Sequence, residues 1–187
     1  MILEITTFDH PALRTPGARV EKIDDRIRQL AVDMIETMQA AEGLGLAAQQ
    51  VGLPLQFFVL DVPQMKKRPS AMRMKGRAVD FESLMPLVLI NAEVETFGRI
   101  HIESEGCLSF PEISAYIPRH LSVRVKAMTL EGETLEFEAD GLLARAVQHE
   151  LDHTRGGLFI DRVSLADRAE LPEDIRRLSR PAIPILT

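Results

Sequence analysis

The sequence predicts an α+β fold, and three observations carry that expectation. Strand-like segments are grouped between two amphipathic helices instead of alternating with them, which argues against a series of β-α-β units. The length of 187 residues suits one domain and is enough to bury a core. Hydrophobic residues are 45% of the chain and charged residues 27%, the balance of a soluble globular protein.

The same numbers exclude several function classes. A net charge of −6 argues against a general nucleic-acid binder or a specific DNA binder. The longest apolar run, LMPLVLI at 84–90, is too short to span a membrane. The opening MILEITTFDH lacks the basic and long apolar regions of a signal peptide. A single cysteine, Cys107, leaves no internal disulfide framework and points to a reducing, cytoplasmic setting.

Residues 9–20, DHPALRTPGARV, are punctuated by Pro11, Pro16 and Gly17 and read as an ordered loop. A helix is expected from about Asp24. Its apolar positions Ile27, Leu30, Ala31, Met34, Ile35, Met38 and Ala41 follow helical spacing, and Gly43 and Gly45 are expected to end it. LQFFVLD at 55–61 suits a buried strand. Residues 62–86 read as an irregular basic loop insertion. Within it Lys66, Lys67, Arg68, Arg73, Lys75 and Arg77 occur with no acid, so the rest of the chain is the more acidic. This 66–77 run reads first as a solvated surface loop; its other reading is a contact with a polyanion such as ribosomal RNA.

Strands are expected at LVLINAEVE, GRIHIES, LSVRVKAM and ETLEFEA, with a hairpin turn at 130–133. Asp140-Gly141 closes that run. The helix LLARAVQHELDH follows, stopped by Gly156-Gly157, and its inner face includes Leu142, Ala146, His149 and His153. LFI at 158–160 suits a short strand. Residues 164–187 are expected to form a charged helix, about 165–179, and a proline-bearing tail.

The chemistry lies in that helix. His149 and His153 are four residues apart, so both imidazoles can turn to one ion, and Glu150 beside them can reach a water on it. An H-E-x-x-H match arises by chance in about one chain in a hundred of this composition, and a catalytic site needs a third ligand. One metalloprotease pattern puts a further histidine where Phe159 stands, so that pattern fails. Glu170 or Glu173 on the C-terminal helix is a second possibility and would make an endopeptidase, with Glu173 the candidate ligand. Cys107, in ESEGCLSFP, is a third. A thiolate suits a borderline-soft divalent ion, Gly106 permits unusual backbone angles or close approach, and Pro111 would stiffen the exit from a short strand. A metal-stabilised binding module is the reading outside catalysis; a structural site would use four ligands. The stretch GLGLAA superficially fits a dinucleotide-binding fingerprint, but it follows a helix and precedes a strand, the reverse of the required order. A better role is to let an extended peptide lie against Leu44 and Gly45, with Leu142 and Ala146 lining an apolar pocket.

With these residues in view, the chain resembles the peptide deformylase family. GLGLAAQQ (43–50) is similar to the family's G-φ-G-φ-A-A-x-Q, EGCLS (105–109) to its second motif and QHELDH (148–153) to its third, in the family's order. The likeness spans most of residues 1–163 and implies one catalytic domain over 1–187. It implies Cys107, His149 and His153 as ligands of one divalent ion, ferrous iron first and nickel, cobalt or zinc as substitutes. It implies Glu150 as base and acid, with the Gln50 amide and the Leu108 backbone N–H as oxyanion donors. The implied substrates are formyl-methionyl peptides and nascent chains, the product formate, and Leu142 and Ala146 would face the methionine. INA at 90–92, Thr154-Arg155 and the long 62–86 segment depart from the family pattern, and none is an implied ligand.

Overall fold

The computed structural model describes residues 1–180, so most of the expected tail lies outside the described residues. The class is the α+β class expected. Seven strands form one antiparallel sheet in the order β1-β2-β5-β6-β7-β3-β4. They are β1 (Gly45–Ala47), β2 (Phe57–Leu60), β3 (Ser70–Met74), β4 (Arg77–Ala78), β5 (Leu87–Cys107), β6 (Phe110–Met128) and β7 (Thr134–Gly141). Three α-helices accompany them, α1 (Asp25–Ala40), α2 (Leu142–Thr154) and α3 (Glu173–Leu178).

α1 begins where Asp24 Oδ1 accepts from the Arg26 and Ile27 N–H groups, both at 3.1 Å. Its buried face carries Ala31, Met34 and Met38, which pack on Phe57 and Val59 of β2. The other two β2 residues, Phe58 and Leu60, face α2. A strand covered on both faces reads as an unbroken apolar run, which is why FFVL lacks alternation. The end of α1 differs from expectation. Glu42, not a glycine, takes the left-handed conformation (φ 55°), while Gly43 N–H closes on Met38 O at 2.9 Å.

β5 and β6 form a hairpin of 21 and 19 residues, whose two-residue turn is Leu108-Ser109. The expected strands LVLINAEVE and GRIHIES are parts of one strand. The first half of β6, which includes Pro111 and Pro118, lies outside the expected strands. Of β6, only Ser122–Met128 pairs with β7, so its prolines sit where one side of the strand is a free edge among the described residues. Gly106 is not strained. A Cβ there would meet only Ile113 O at 3.6 Å, and the local feature is a register shift between Gly106 and Cys107.

The 62–86 segment corrects the expectation of irregular structure. SAMRM is β3, alternating buried Ser70 and Met72 with exposed Ala71 and Arg73, and it pairs with β7. Lys75 and Gly76 turn the chain into β4 with φ of 50° and 74°. This hairpin also holds the start of α2. Ser70 Oγ accepts from Leu143 N–H at 3.0 Å, and Pro69 O accepts from Leu142 N–H at 3.4 Å. Gly141, the link from β7 to α2, has φ 71°, and a Cβ there would lie 2.0 Å from Pro69 O.

α2 lies within the fold, against β1, β2, β3, β5, β6 and β7, and all of its residues but His149 are buried. Gly156 (φ 72°) and Gly157 stop it, donating to His153 O at 2.9 Å and Asp152 O at 2.8 Å. Two expectations beyond it fail. LFI is not a strand, since Phe159–Arg162 forms a 3-10 turn. The helix expected at 165–179 is a 3-10 turn, Asp167–Glu170, followed by the six-residue α3, because Leu171-Pro172 interrupts it. Leu171 and Ile175 of this arm pack with Leu13, Phe110 and Phe159.

The joint between hairpin and helix yields a prediction. Gly141→Ala should lower unfolding free energy by about 1–3 kcal/mol through clash and positive φ. Ser70→Ala should cost about 1 kcal/mol as a lost helix cap. Urea denaturation followed by circular dichroism measures both.

Candidate metal centre and its cavity

Because α2 is buried nearly all round, its polar side chains need partners inside the protein. His149 and His153 project from adjacent turns, with ring centroids 5.1 Å apart. Cys107 arrives at the end of β5. Its Sγ lies 3.3 Å from His153 Nε2, and one donor atom from each of Cys107, His149 and His153 falls within 4.8 Å of the others. Donors sharing one tetrahedral ion stand roughly 3.5 Å apart, so the separation fits, as does the chemistry of one thiolate and two imidazoles. Glu173 is not in this group. It is exposed and pairs with Arg177, and Glu170 is exposed too. Phe159 sets its ring 6.1 Å from that of His149.

The ring of His149 is held from behind. Its Nδ1 lies 3.0 Å from Glu105 Oε2, which leaves Nε2 for the cluster. Glu105 is held in turn by fully buried Arg119, through Nε and Nη2, both at 2.9 Å. Arg145 Nη1 adds a bond at 2.7 Å. Arg119 also reaches Asp152 at 2.6 Å, and Asp152 takes two 2.6 Å bonds from Arg162. Sequence reasoning missed this network. Glu105 and Asp152 stand inside motifs, but the arginines reach Glu105 from β6 and α2 and leave no local signature.

The charges shift accordingly. Burial disfavours ionised Glu105, but Arg119 outweighs it and holds the carboxyl well below its usual range. For His149 burial acts downward, and contact with Cys107 and Glu105 outweighs it, so the imidazole binds its proton more tightly than usual. Burial and then the charge of His149 push His153 down. An ion needs both rings neutral, so binding would release the proton from His149. Glu150 is different in kind. It is buried, its Oε2 has no partner among the described residues, and burial lifts its carboxyl to about 7.

Two glycines make room for this arrangement. A Cβ on Gly45 would lie 2.4 Å from Glu150 Oε1 and one on Gly43 2.7 Å from Leu108 Cδ1. Gly45 therefore serves close approach of the Glu150 carboxyl to the backbone of β1. Gln50 sits in the 3-10 turn Ala48–Val51. Its Oε1 accepts from Ala47 N–H at 2.8 Å, which turns Nε2 toward Cys107 Sγ at 3.5 Å and Ser109 Oγ at 3.4 Å.

A cavity of about 500 Å³ opens over the cluster, within the usual range for small-ligand sites. Leu44, Gly45, Gln50, Cys107, Leu108, Leu142, Ala146, His149 and Glu150 all line it, and buried His153 lies behind them. Of the departures from the family pattern, Ala92, Thr154 and Arg155 do not line it, whereas Arg68 of the basic segment does.

The model of the polypeptide deformylase family matches residues 2–169. A peptide deformylase of Methylacidiphilum infernorum is 43% identical over 180 residues, which cover 96% of this chain and 94% of that protein. The crystal structure of peptide deformylase from Thermotoga maritima matches with a TM-score of 0.73 at 38% identity, covering 88% of this chain and 99% of that one. That from Ehrlichia chaffeensis gives 0.80 at 32%, covering 95% and 96%.

Arg119→Gln should cost about 3–5 kcal/mol in the metal-free protein, because it leaves Glu105 and Asp152 buried without their shared cation. Arg119→Lys should recover only part of the loss, since an ammonium cannot make the two-pronged contact. Denaturant titration checks both.

Proposed function

The chain belongs to the polypeptide deformylase family, and we propose that it is a metal-dependent hydrolase that takes the N-terminal formyl group from formyl-methionyl nascent peptides and releases formate. The observation that carries this reading is the open Cys107, His149, His153 group at the foot of a cavity, with a buried Glu150 beside it whose Oε2 has no partner among the described residues. The whole of residues 1–187 would act as one catalytic domain.

Cys107, His149 and His153 would hold a divalent ion, ferrous iron first, with nickel, cobalt or zinc as substitutes. When bound, such an ion lowers the pKa of a coordinated water and polarises the formyl oxygen. Glu150 takes the proton of the attacking water as its oxygen adds to the formyl carbon. It then returns that proton to the nitrogen as the carbon–nitrogen bond breaks, giving formate and a free amine. A carboxyl near 7 suits both duties. The Gln50 Nε2 amide and the Leu108 backbone N–H would donate to the oxyanion, each loss costing about 10²–10³ in kcat. Support for Gln50 is that its oxygen is already committed to Ala47, so the amide nitrogen faces the cluster.

β1 is the outer strand of the sheet, so an extended peptide can pair along Leu44 and Gly45 while Leu142 and Ala146 receive the methionine side chain. A ribosome contact would fall on Lys66, Lys67, Lys75 and Arg77, which make no ion pair among the described residues, whereas Arg68 and Arg73 pair with Glu103 and Asp140. No observation favours the endopeptidase reading, because Glu173 is engaged elsewhere.

Protein reconstituted anaerobically with ferrous ion should release formate from a formyl-Met peptide. Cys107→Ser should lose both metal and turnover; Glu150→Gln should keep the metal and lose turnover. No release from metal-loaded wild type sinks the reading. Gly45→Ala should keep metal and fold but cut kcat/KM by about 10²-fold or more, since it must displace the Glu150 carboxyl.

A further inference from the structure

The mouth of the cavity is unevenly charged. Glu42, just past α1, and Glu112, near the start of β6, both line it and are both exposed. Neither side-chain carboxylate has a hydrogen-bond or ion-pair partner among the described residues. The cations there are already matched. Arg68 spends Nε and Nη2 on Glu103 Oε2, at 3.0 and 2.7 Å. Arg145, deeper in, lies 3.4 Å from Glu103 and 2.7 Å from Glu105. The uncompensated charge at the mouth is therefore negative.

This matters for whatever follows the first residue of a substrate. If the formyl end lies at Glu150 and Cys107, the chain must leave through the mouth. In extended form each further residue advances about 3.3 Å, so the next few side chains pass the rim. We infer that Glu42 and Glu112 make the site selective for peptides with cationic side chains in the residues after formyl-methionine. This inference rests on the deformylase reading. It uses two acids that the proposed chemistry leaves idle and assigns Arg68 the opposing role: by neutralising Glu103 it limits the selectivity. Both acids are in contact with water, so each should contribute about two- to fivefold, and salt should weaken the effect.

The test compares formyl-Met-Lys-Lys, formyl-Met-Ala-Ala and formyl-Met-Glu-Glu, all as C-terminal amides, with ferrous-loaded wild type. The expected order of kcat/KM is Lys, then Ala, then Glu. The Lys-to-Glu ratio should fall two- to fivefold in Glu42→Gln and in Glu112→Gln, and further in the double variant. It should rise in Arg68→Gln and shrink in about 0.5 M salt. Turnover of the alanine peptide with equal kcat/KM for the lysine and glutamate peptides overturns the inference and leaves the deformylase reading standing. So does a ratio that neither glutamate substitution moves. No formate from any of the three peptides overturns both.

Discussion

Arg119 binds both oxygens of Glu105 and one oxygen of Asp152 from a fully buried position, and three parts of the molecule meet at that guanidinium. Glu105 belongs to β5, Arg119 to β6 and Asp152 to α2, so the long hairpin and the central helix share one ionic joint. An ion pair of this depth adds little net stability over apolar residues of the same shape, because desolvation consumes the Coulombic gain. What it supplies is orientation. Held on one side by Arg119 and Arg145, the Glu105 carboxylate meets His149 Nδ1 on the other and so turns Nε2 toward Cys107 and His153.

The same interior treats its two neighbouring acids in opposite ways. Glu105 on β5 is surrounded by guanidinium groups and stays ionised; Glu150 on α2 has none in contact among the described residues and holds its proton more tightly than an ordinary carboxyl. One carboxylate is thereby a fixed strut, and the other is suited to the proton-carrying role proposed for it. Moving one arginine toward Glu150 would destroy that division without altering the number of charges in the core.

Much of this was legible in the chain. The helical spacing of α1, the H-E-x-x-H pair and the glycine stop after α2 are local signals, and each stands at the expected place. What escaped depends on distant pairing. The prolines of β6 argue against a strand until it is known that β7 leaves that part unpaired. SAMRM alternates correctly for a strand, but six basic residues in thirteen masked it as loop. Leu171-Pro172 divides an otherwise helical charge pattern. Arg119 and Arg145 carry no motif, so their grip on Glu105 could not be read from spacing alone. Glycines at 43 and 45 looked like helix terminators, and Glu42 performs that turn instead.

The contact of Pro69 and Ser70 with the first turn of α2 constrains how this chain can change its length. Gln64 steadies that cap, since its Oε1 accepts from Ser70 N–H at 3.0 Å and its Nε2 donates to Ser70 O at 3.2 Å, whereas the Lys75-Gly76 turn bears on no cap of the central helix, so insertions there are absorbed by solvent. An insertion between Pro69 and Ser70 would pull the helix cap out of register, and the disturbance would travel two turns to His149. Length variation across relatives of this protein should therefore fall at the Lys75-Gly76 turn, and a chimera that exchanges the whole 62–86 segment must carry its own substitute for the cap.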